Sequence, residues 1–261
     1  MHTDVMHAEV AFPLATLAAF LLALARVSGV LVFAPIPGFS AAPDAARVVL
    51  ALALTGALFP AWPTAAEGLL SLGGLTAGVL RETALGMAVG LVLALLLEGF
   101  QLSAQAVGLQ AGYSYASTID PTTEADTTTL QLMAQLAAGA LFFAWGFDRQ
   151  VLRALAQSFQ SEPGAAFWRD GRLVEAIAAL GAQVFSTGLQ LAMPVLALLV
   201  LLDIAFAVLG RLHAQLQLLS LAFSVKMLAA LAFLAGILAM YPAVFERSGE
   251  LTFATLDRLL K

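Results

Sequence analysis

The sequence predicts an all-α, membrane-associated bundle of about six long apolar helical segments, and two observations lead to this fold class. The chain of 261 residues is 61% hydrophobic and only 11% charged, with a mean hydropathy of +0.92. Its apolar residues are gathered in segments of helical length, separated by proline- and glycine-rich breakers. A helix pairs its own backbone groups, so such segments suit lipid. Most of the surface therefore cannot face water.

The six apolar segments are each near or above the ~20 residues that cross hydrocarbon. They span residues 10–36, 45–61, 69–100, 128–147, 183–210 and 216–241. The spacing leaves no room for a soluble domain, so we expect a single membrane domain over 1–261. The polar C-terminal piece from Phe245 to Lys261 is expected to form a short amphipathic helix.

The third segment is too long for one ordinary crossing. No proline occurs between Pro63 and Pro121, and a continuous helix over 69–111 would be ~64 Å long, about twice the hydrocarbon thickness. A helix that leaves the bilayer or bends inside an assembly explains this length better than tilt. Its glycines form small-xxx-small pairs that allow close helix approach, within one chain or between subunits. They are Gly74, Gly78, Gly86, Gly90, Gly108 and Gly112.

Charge orients the chain only in part. Arginines between Arg149 and Arg172 and in the C-terminal tail favour the cytoplasmic side for both regions. A simple six-span alternation would place the N-terminus there too, although it carries no basic residue before Arg26. We therefore do not expect simple alternation. The same lack of basic residues argues against a cleaved signal peptide, so the first segment is expected to be retained.

Several function classes find no support in the composition. The net charge is −5 without a basic block, which argues against nucleic-acid binding. Cysteine is absent, and the three histidines, His2, His7 and His213, are scattered without spaced partners. We expect no metal site and no cofactor. No nucleophile elbow, metalloprotease motif or phosphate loop occurs, so we expect no enzymatic activity.

Charged residues within the apolar segments are costly and are therefore candidates for function or assembly. They are Arg26, Arg81, Glu82, Glu98, Asp203 and Lys226. If the last two segments form an antiparallel hairpin turning near His213, Asp203 and Lys226 lie ~15 and ~20 Å from the turn. We predict that they form a neutralising ion pair. A proton or ion relay, or contacts with another subunit, are the alternatives.

The stretch VGLQAGYSYASTIDPTT, residues 107–123, is polar without charge until Asp120. Gly108 and Gly112 permit a departure from helix, and the tyrosines supply bulk without charge. The residues alone leave two interpretations: a packed re-entrant loop, or a segment built to fill a cavity. The residues that these two interpretations concern are Gly108, Gln110, Gly112, Tyr113, Ser114, Tyr115, Ala116, Ser117, Ile119 and Asp120.

Several blocks together carry a resemblance over nearly the whole chain. They are ARVSGVLVFAPIPG, VLRETALGMAVGLVLALLLEGFQLSAQAVGLQAGYSYASTIDP, DRQVLRALAQSF, MPVLALLVLLDIAFAVLGR and FSVK. In this order they resemble the FliR family, membrane components of the flagellar type III protein export gate. Positions that match the family pattern include Glu82, Gly86, Gly90, Arg211 and Lys226. The stretch HAQLQLLSLAFSV departs from that pattern, which affects the local geometry of the last hairpin.

The resemblance implies an assembly rather than a lone chain. Family members join FliP-like and FliQ-like subunits in a helical complex of bent hairpins, with FlhB-like and FlhA-like components nearby. It implies a FliP-like unit over 1–147, a FliQ-like unit over 148–244 and a tail over 245–261. Glu82, Arg211 and Lys226, which match the family pattern, are expected to serve assembly, together with Arg26 and Asp203, which are candidates because of their charge within apolar segments.

For the central stretch, the resemblance implies a specific role. The loop matching Gly108 to Ile119 projects into the central channel of the family's complex and closes it when no substrate passes. The substrates would be unfolded flagellar proteins, and the location would be the bacterial inner membrane within the flagellar basal body. Two alternatives stay open: an export subunit of a virulence-type (injectisome) secretion system, and a secondary transporter, for which the sequence shows no convincing inverted repeat.

Overall fold

The computed structural model describes residues 14–34, 43–63, 71–113, 129–159, 172–212 and 218–260. Within these ranges the long regular elements are α-helices, which confirms the predicted fold class. They are α1 (Leu14–Phe33), α2 (Asp44–Ala57), α3 (Leu72–Ala111), α4 (Thr129–Ala144), α5 (Phe147–Ser158), α6 (Arg172–Leu212), α7 (Leu218–Leu238) and α8 (Tyr241–Leu260). A short 3₁₀ turn, Phe59–Ala61, follows α2.

Helix α3 is continuous over 40 residues, as predicted from the absence of proline. It begins after Ser71, whose side chain accepts a hydrogen bond from the backbone N–H of Gly74 at 3.1 Å. At 1.5 Å per residue it is about 60 Å long. Helix α6 is equally long, with 41 residues, and contains Pro194. Helix α6 begins at Arg172, whereas the predicted apolar segment begins at residue 183. The first turns of α6 mix polar with apolar residues, so the sequence does not show them as part of an apolar segment.

The structure shows a bend at the end of two predicted segments, the fourth (128–147) and the sixth (216–241). The fourth segment, 128–147, ends as a helix at Ala144. Gly146 then adopts a left-handed conformation with φ +68°, and α5 starts at an angle of 65° to α4. Helices α7 and α8 meet at 62° just before Tyr241. The predicted amphipathic tail is therefore part of a longer helix that begins at Tyr241 rather than Phe245.

Three described helices, α1, α3 and α6, are long and apolar enough to cross a membrane, and up to five spans result if each bent pair counts as one. Helix α2 has only 14 residues, which is short of the ~20 needed to cross hydrocarbon. It is followed by the turn containing Pro60, so it cannot continue as a helix.

Helix α3 lies at the centre of the bundle and contributes to each of three apolar clusters. Val92 and Leu93 pack with α1, α5, α6 and α8. Leu97 and Phe100 pack with the rings of Phe142, Tyr241 and Phe245, and Ala104 and Val107 pack with α4, α6 and α7. The three clusters thus hold α3 in place along much of its length, and different helices contact it at different levels.

Close backbone contact joins α1 to α3 at glycines. A Cβ atom on Gly86 would overlap the carbonyl oxygen of Arg26, and a Cβ on Gly90 would lie 2.5 Å from the carbonyl oxygen of Val30. Gly29 is equally crowded from the other side by Thr83. The small-residue pair Gly86/Gly90 therefore serves helix packing within the chain, one of the two uses predicted for these glycines.

Candidate functional site

Helix α3 carries two polar sites within an otherwise apolar bundle. Glu82 belongs to the first and Gln110 to the second, and about 42 Å of helix separates them at 1.5 Å per residue. We name them the Arg26 cluster (Arg26, Glu82, Ser158, Phe159) and the loop-root site (Gln110, Gly112, Tyr113, Asp203, Phe223, Lys226, Met227).

The Arg26 cluster joins α1, α3 and the end of α5. The Nε of Arg26 donates to Glu82 Oε2, and its Nη1 donates to the hydroxyl of Ser158 at 2.8 Å. The guanidinium carbon lies 4.3 Å from the ring centroid of Phe159, a cation–π geometry. The two charged side chains are only 5% and 9% exposed. A buried arginine thus has a carboxylate, a hydroxyl and an aromatic face as partners.

The sequence identified Arg26 and Glu82 as costly charges but did not pair them with each other, and it missed Ser158 and Phe159. A signal was available, because Gly29 and Gly86 lie one helical turn beyond Arg26 and Glu82. A small-residue contact between α1 and α3 at those glycines brings the two charges to the same level.

The loop-root site contains the predicted ion pair. Lys226 Nζ lies 2.9 Å from Asp203 Oδ1 and donates to Oδ2 at 3.1 Å. These two side chains belong to α7 and α6, so the pair spans the last hairpin as the sequence predicted. The carboxylate also accepts a hydrogen bond from Gln110 Nε2 at 2.9 Å. This third partner comes from the end of α3 and was not predicted.

Helix α3 ends at this site in a left-handed turn. Gly112 has φ +90°, and its N–H bonds to the carbonyl of Leu109 while the N–H of Tyr113 bonds to that of Gly108 at 2.9 Å. This is a Schellman motif, which glycine favours because it adopts the left-handed conformation without a Cβ penalty. The departure from helix expected for the glycines occurs at Gly112, while Gly108 is still helical and buried.

The first residues after α3 also contact the last hairpin. The hydroxyl of Tyr113 donates to the carbonyl of Met227 at 3.0 Å. The ring of Phe223 lies so close to Gly112 that a Cβ there would be 2.9 Å from Phe223 Cε1. Gly112 and Tyr113 are therefore held by α7, next to the ion pair.

The structure does not bring all of the predicted residues together. Ser114, Tyr115, Ala116, Ser117, Ile119 and Asp120 lie outside the described residues. Arg211 is exposed in the last turn of α6, where a positive charge complements the helix dipole. Arg81 and Glu98 are exposed on α3. Within the described ranges, no group of three or more His, Asp and Glu side chains is placed to hold a metal ion.

The apolar surface of the last hairpin is largely uncovered. In the most apolar stretch of α6 only 22% of the residues are buried, whereas in the corresponding stretch of α3 61% are buried. Large exposed side chains on α6 and α7 include Val200, Leu201, Ile204, Val208, Leu228 and Leu231. An apolar patch of this extent marks a surface that meets lipid or protein. The ion pair of the loop-root site thus lies in a part of the bundle whose apolar surface is largely uncovered.

These features define a class: an all-helical integral membrane protein whose polar groups connect helices to one another and whose long apolar helices are suited to a larger assembly. The model of the bacterial export proteins, family 1, matches residues 17–251. The chain belongs to this family, that of FliR.

Curated relatives are similar over most of their length. The flagellar biosynthetic protein FliR of Escherichia coli (strain K12) is 24% identical over 215 residues, which cover 82% of each chain. FliR of Pectobacterium carotovorum is 23% identical over 235 residues, covering 90% of each. FliR of Caulobacter vibrioides is 27% identical over 219 residues, covering 82% of this chain and 86% of the relative. The resemblance seen in the sequence is confirmed at the level of the family.

Proposed function

We propose that the chain is a core subunit of the flagellar type III protein export channel in the bacterial inner membrane, and that the segment beginning at Gly112, where α3 ends, plugs this channel. Family membership and the names of the relatives support the first part of this proposal, that the chain is a subunit of the flagellar export apparatus. The end of α3 at Gly112 supports the proposed plug, because the helix stops where the uncharged stretch of small and aromatic residues begins in the sequence. No enzymatic step is part of this role, in keeping with a family of export proteins.

The length of the helices supports assembly with partners. Helices of 40 and 41 residues exceed what a bilayer covers, and α6 exposes apolar side chains along much of its length. Subunits similar to FliP and FliQ, and more loosely attached FlhB-like and FlhA-like components, would cover this surface. The flagellar relatives favour this system over the virulence-type alternative.

The plug segment has a composition that suits a reversible seal. Between Gly112 and Asp120 it carries no charge, so no ionic contact would hold an unfolded polypeptide as it slides past. Tyrosine rings supply bulk, and a tightly packed neutral constriction excludes water and ions. Gln110 and Tyr113 fasten the start of the segment to the last hairpin.

Partner dependence is tested by purification from membranes. We expect the chain to be stable only together with FliP-like and FliQ-like subunits, because the exposed faces of α6 and α7 need cover. Co-expression and affinity purification should give one complex containing all three. A monodisperse monomer that is as stable without partners as with them would contradict this.

The plug is tested in cells that carry the assembled complex. Deleting Tyr113–Ser117, or replacing Tyr113 and Tyr115 by glycine, should leave the complex assembled and increase the sensitivity of cells to small solutes. The control replaces the same two residues by phenylalanine, which keeps the rings and should leak much less. A deletion that assembles normally and does not leak would exclude these residues as the seal.

A further inference from the structure

The start of the proposed plug is held by one structural element, the hairpin of α6 and α7. Gln110 bonds to Asp203 of α6, and Tyr113 bonds to the backbone of Met227 in α7. Gly112 packs against the ring of Phe223, also in α7. These contacts lie within one helical turn of Lys226 on α7, so they form a single site.

The Asp203 carboxylate is the centre of this site. One oxygen faces Lys226 at 2.9 Å, and the other accepts from both Lys226 and Gln110, at 3.1 and 2.9 Å. Lys226 neutralises the carboxylate and fixes its orientation, so the oxygen that receives Gln110 depends on the ion pair. Moving α7 away from α6 would therefore remove both the neutralising charge and the alignment that holds Gln110.

We propose that Gln110, Asp203 and Lys226 form a latch, in which the ion pair of the last hairpin holds the start of the central segment closed. Asp203 and Lys226 are positioning residues that act on the segment through Gln110. This inference rests on the proposed plug. It identifies the hairpin of α6 and α7 as the element whose movement releases the plug.

The competing explanation is that the Asp203–Lys226 ion pair only joins α6 to α7 and has no effect on the central segment; we call this a staple. A staple needs only Asp203 and Lys226, whereas the observed carboxylate also holds the end of a third helix. The Asp203 side chain is 44% exposed in the chain alone, against 14% for Lys226, so the helices of this chain do not enclose the carboxylate. The latch and the staple differ in what they predict for Gln110.

The discriminating variant is Gln110→Leu, which removes the donor and leaves the ion pair intact. A hydrogen bond to a charged acceptor shifts a two-state equilibrium by roughly tenfold or more. We therefore expect the assembled complex to leak small solutes about tenfold more than the parent, with export of flagellar proteins retained. Gln105→Leu is the matched control, since Gln105 lies on the same helix and is exposed; it should be silent.

A second variant guards against misfolding. Gln110→Asn keeps a polar amide but is one methylene shorter, so it cannot reach Asp203 from the same backbone position. It should leak like Gln110→Leu. If both variants assemble and stay as tight as the Gln105→Leu control, the latch is wrong, and Asp203 with Lys226 is only a staple.

A distance measurement separates failure of the latch from failure of the plug. The chain has no cysteine, so Leu109→Cys and Leu228→Cys can carry spin labels; these two side chains are 60% and 68% accessible in the chain alone, and the labelled parent must assemble with its usual subunits. In the purified complex, with other subunits free of reactive cysteine, the label distance should be narrow and should broaden with Gln110→Leu but not with Gln105→Leu. An unchanged distribution overturns the latch. A broadened one alongside a deletion that does not leak supports the latch while rejecting the plug.

Discussion

The two ion pairs beside α3, one formed with its Glu82 and one contacted by its Gln110, differ in burial, in partners and in what they connect. The Arg26 cluster is almost fully buried, with charged side chains 5% and 9% exposed, and it joins three helices of the bundle. The Asp203–Lys226 pair is 44% and 14% exposed in the chain alone and lies on a hairpin whose apolar surface is largely uncovered. We therefore expect a permanent joint at the first site and, as the proposed latch requires, an adjustable contact at the second.

The largest expected effect comes from breaking the buried pair. Arg26→Met leaves Glu82 charged and unpaired in an apolar interior, which costs about 3–5 kcal/mol. We expect loss of assembled complex, measured by purification yield and thermal denaturation. The double variant Arg26→Met/Glu82→Leu replaces the pair by apolar groups and should recover much of the loss. A single variant as stable as the parent would show that the cluster is not a joint.

The contact of α1 with α3 should be nearly as sensitive. Gly86→Ala places a methyl group against the backbone carbonyl of Arg26, and overpacking of this kind costs about 1–3 kcal/mol. Because the obstacle is backbone, the helices must separate and the Arg26–Glu82 distance must increase. Gly181→Ala, a helical glycine with no atom within 4 Å of the added Cβ, is the control. Equal melting temperatures for the two variants would refute the close-contact explanation.

Gly112→Ala should have a smaller effect on stability and a larger one on the loop-root site. A left-handed conformation costs an alanine about 1–2 kcal/mol, and the new methyl group also meets Phe223 at 2.9 Å. Gly146→Ala separates these causes, because Gly146 has φ +68° and nothing within 4 Å of its added Cβ. We expect both variants to lose stability and only Gly112→Ala to increase solute leak. Leak in both would show that strain alone is responsible.

The smallest stability effect is expected at the adjustable pair. Asp203→Asn keeps an acceptor for Gln110 but leaves Lys226 without its counter-charge, and we expect a smaller loss than at the Arg26 cluster because the helices of this chain enclose the Asp203–Lys226 pair less completely. The melting temperature should change little, while the leak should rise, by less than with Gln110→Leu. Asp44→Asn, at an exposed ion pair with Arg47 on α2, should affect neither. A loss of assembly as severe as with Arg26→Met would remove the distinction between the two sites.

The sequence predicted one of these sites better than the other, for a physical reason. Asp203 and Lys226 flank a short turn, so counting helical rise from the turn brings them to similar depth. Arg26 and Glu82 belong to helices separated by α2, and their pairing depends on how α1 crosses α3. Ser158 and Phe159 escaped notice because the bend at Gly146, which sends α5 back towards α1, has no proline and follows a continuous apolar run.

Gln110 was singled out from the sequence for a different reason from the one the structure supplies. The sequence groups Gln110 with the gate because it lies in the uncharged central stretch. In the structure Gln110 lies in the last turn of α3 and donates a hydrogen bond to Asp203 of α6. Amide side chains have no charge to attract attention in an apolar segment. Only the packing of α3 against the hairpin of α6 and α7 brings the amide to the carboxylate.

The central claim is that the segment after Gly112 seals a channel, and the ion conductance of the purified complex in lipid bilayers tests it most directly. We expect the parent complex to be closed, Gln110→Leu to open intermittently, and the complex lacking Tyr113–Ser117 to conduct steadily. If the deleted complex, shown to be intact in composition, conducts no more than the parent, this segment is not the seal.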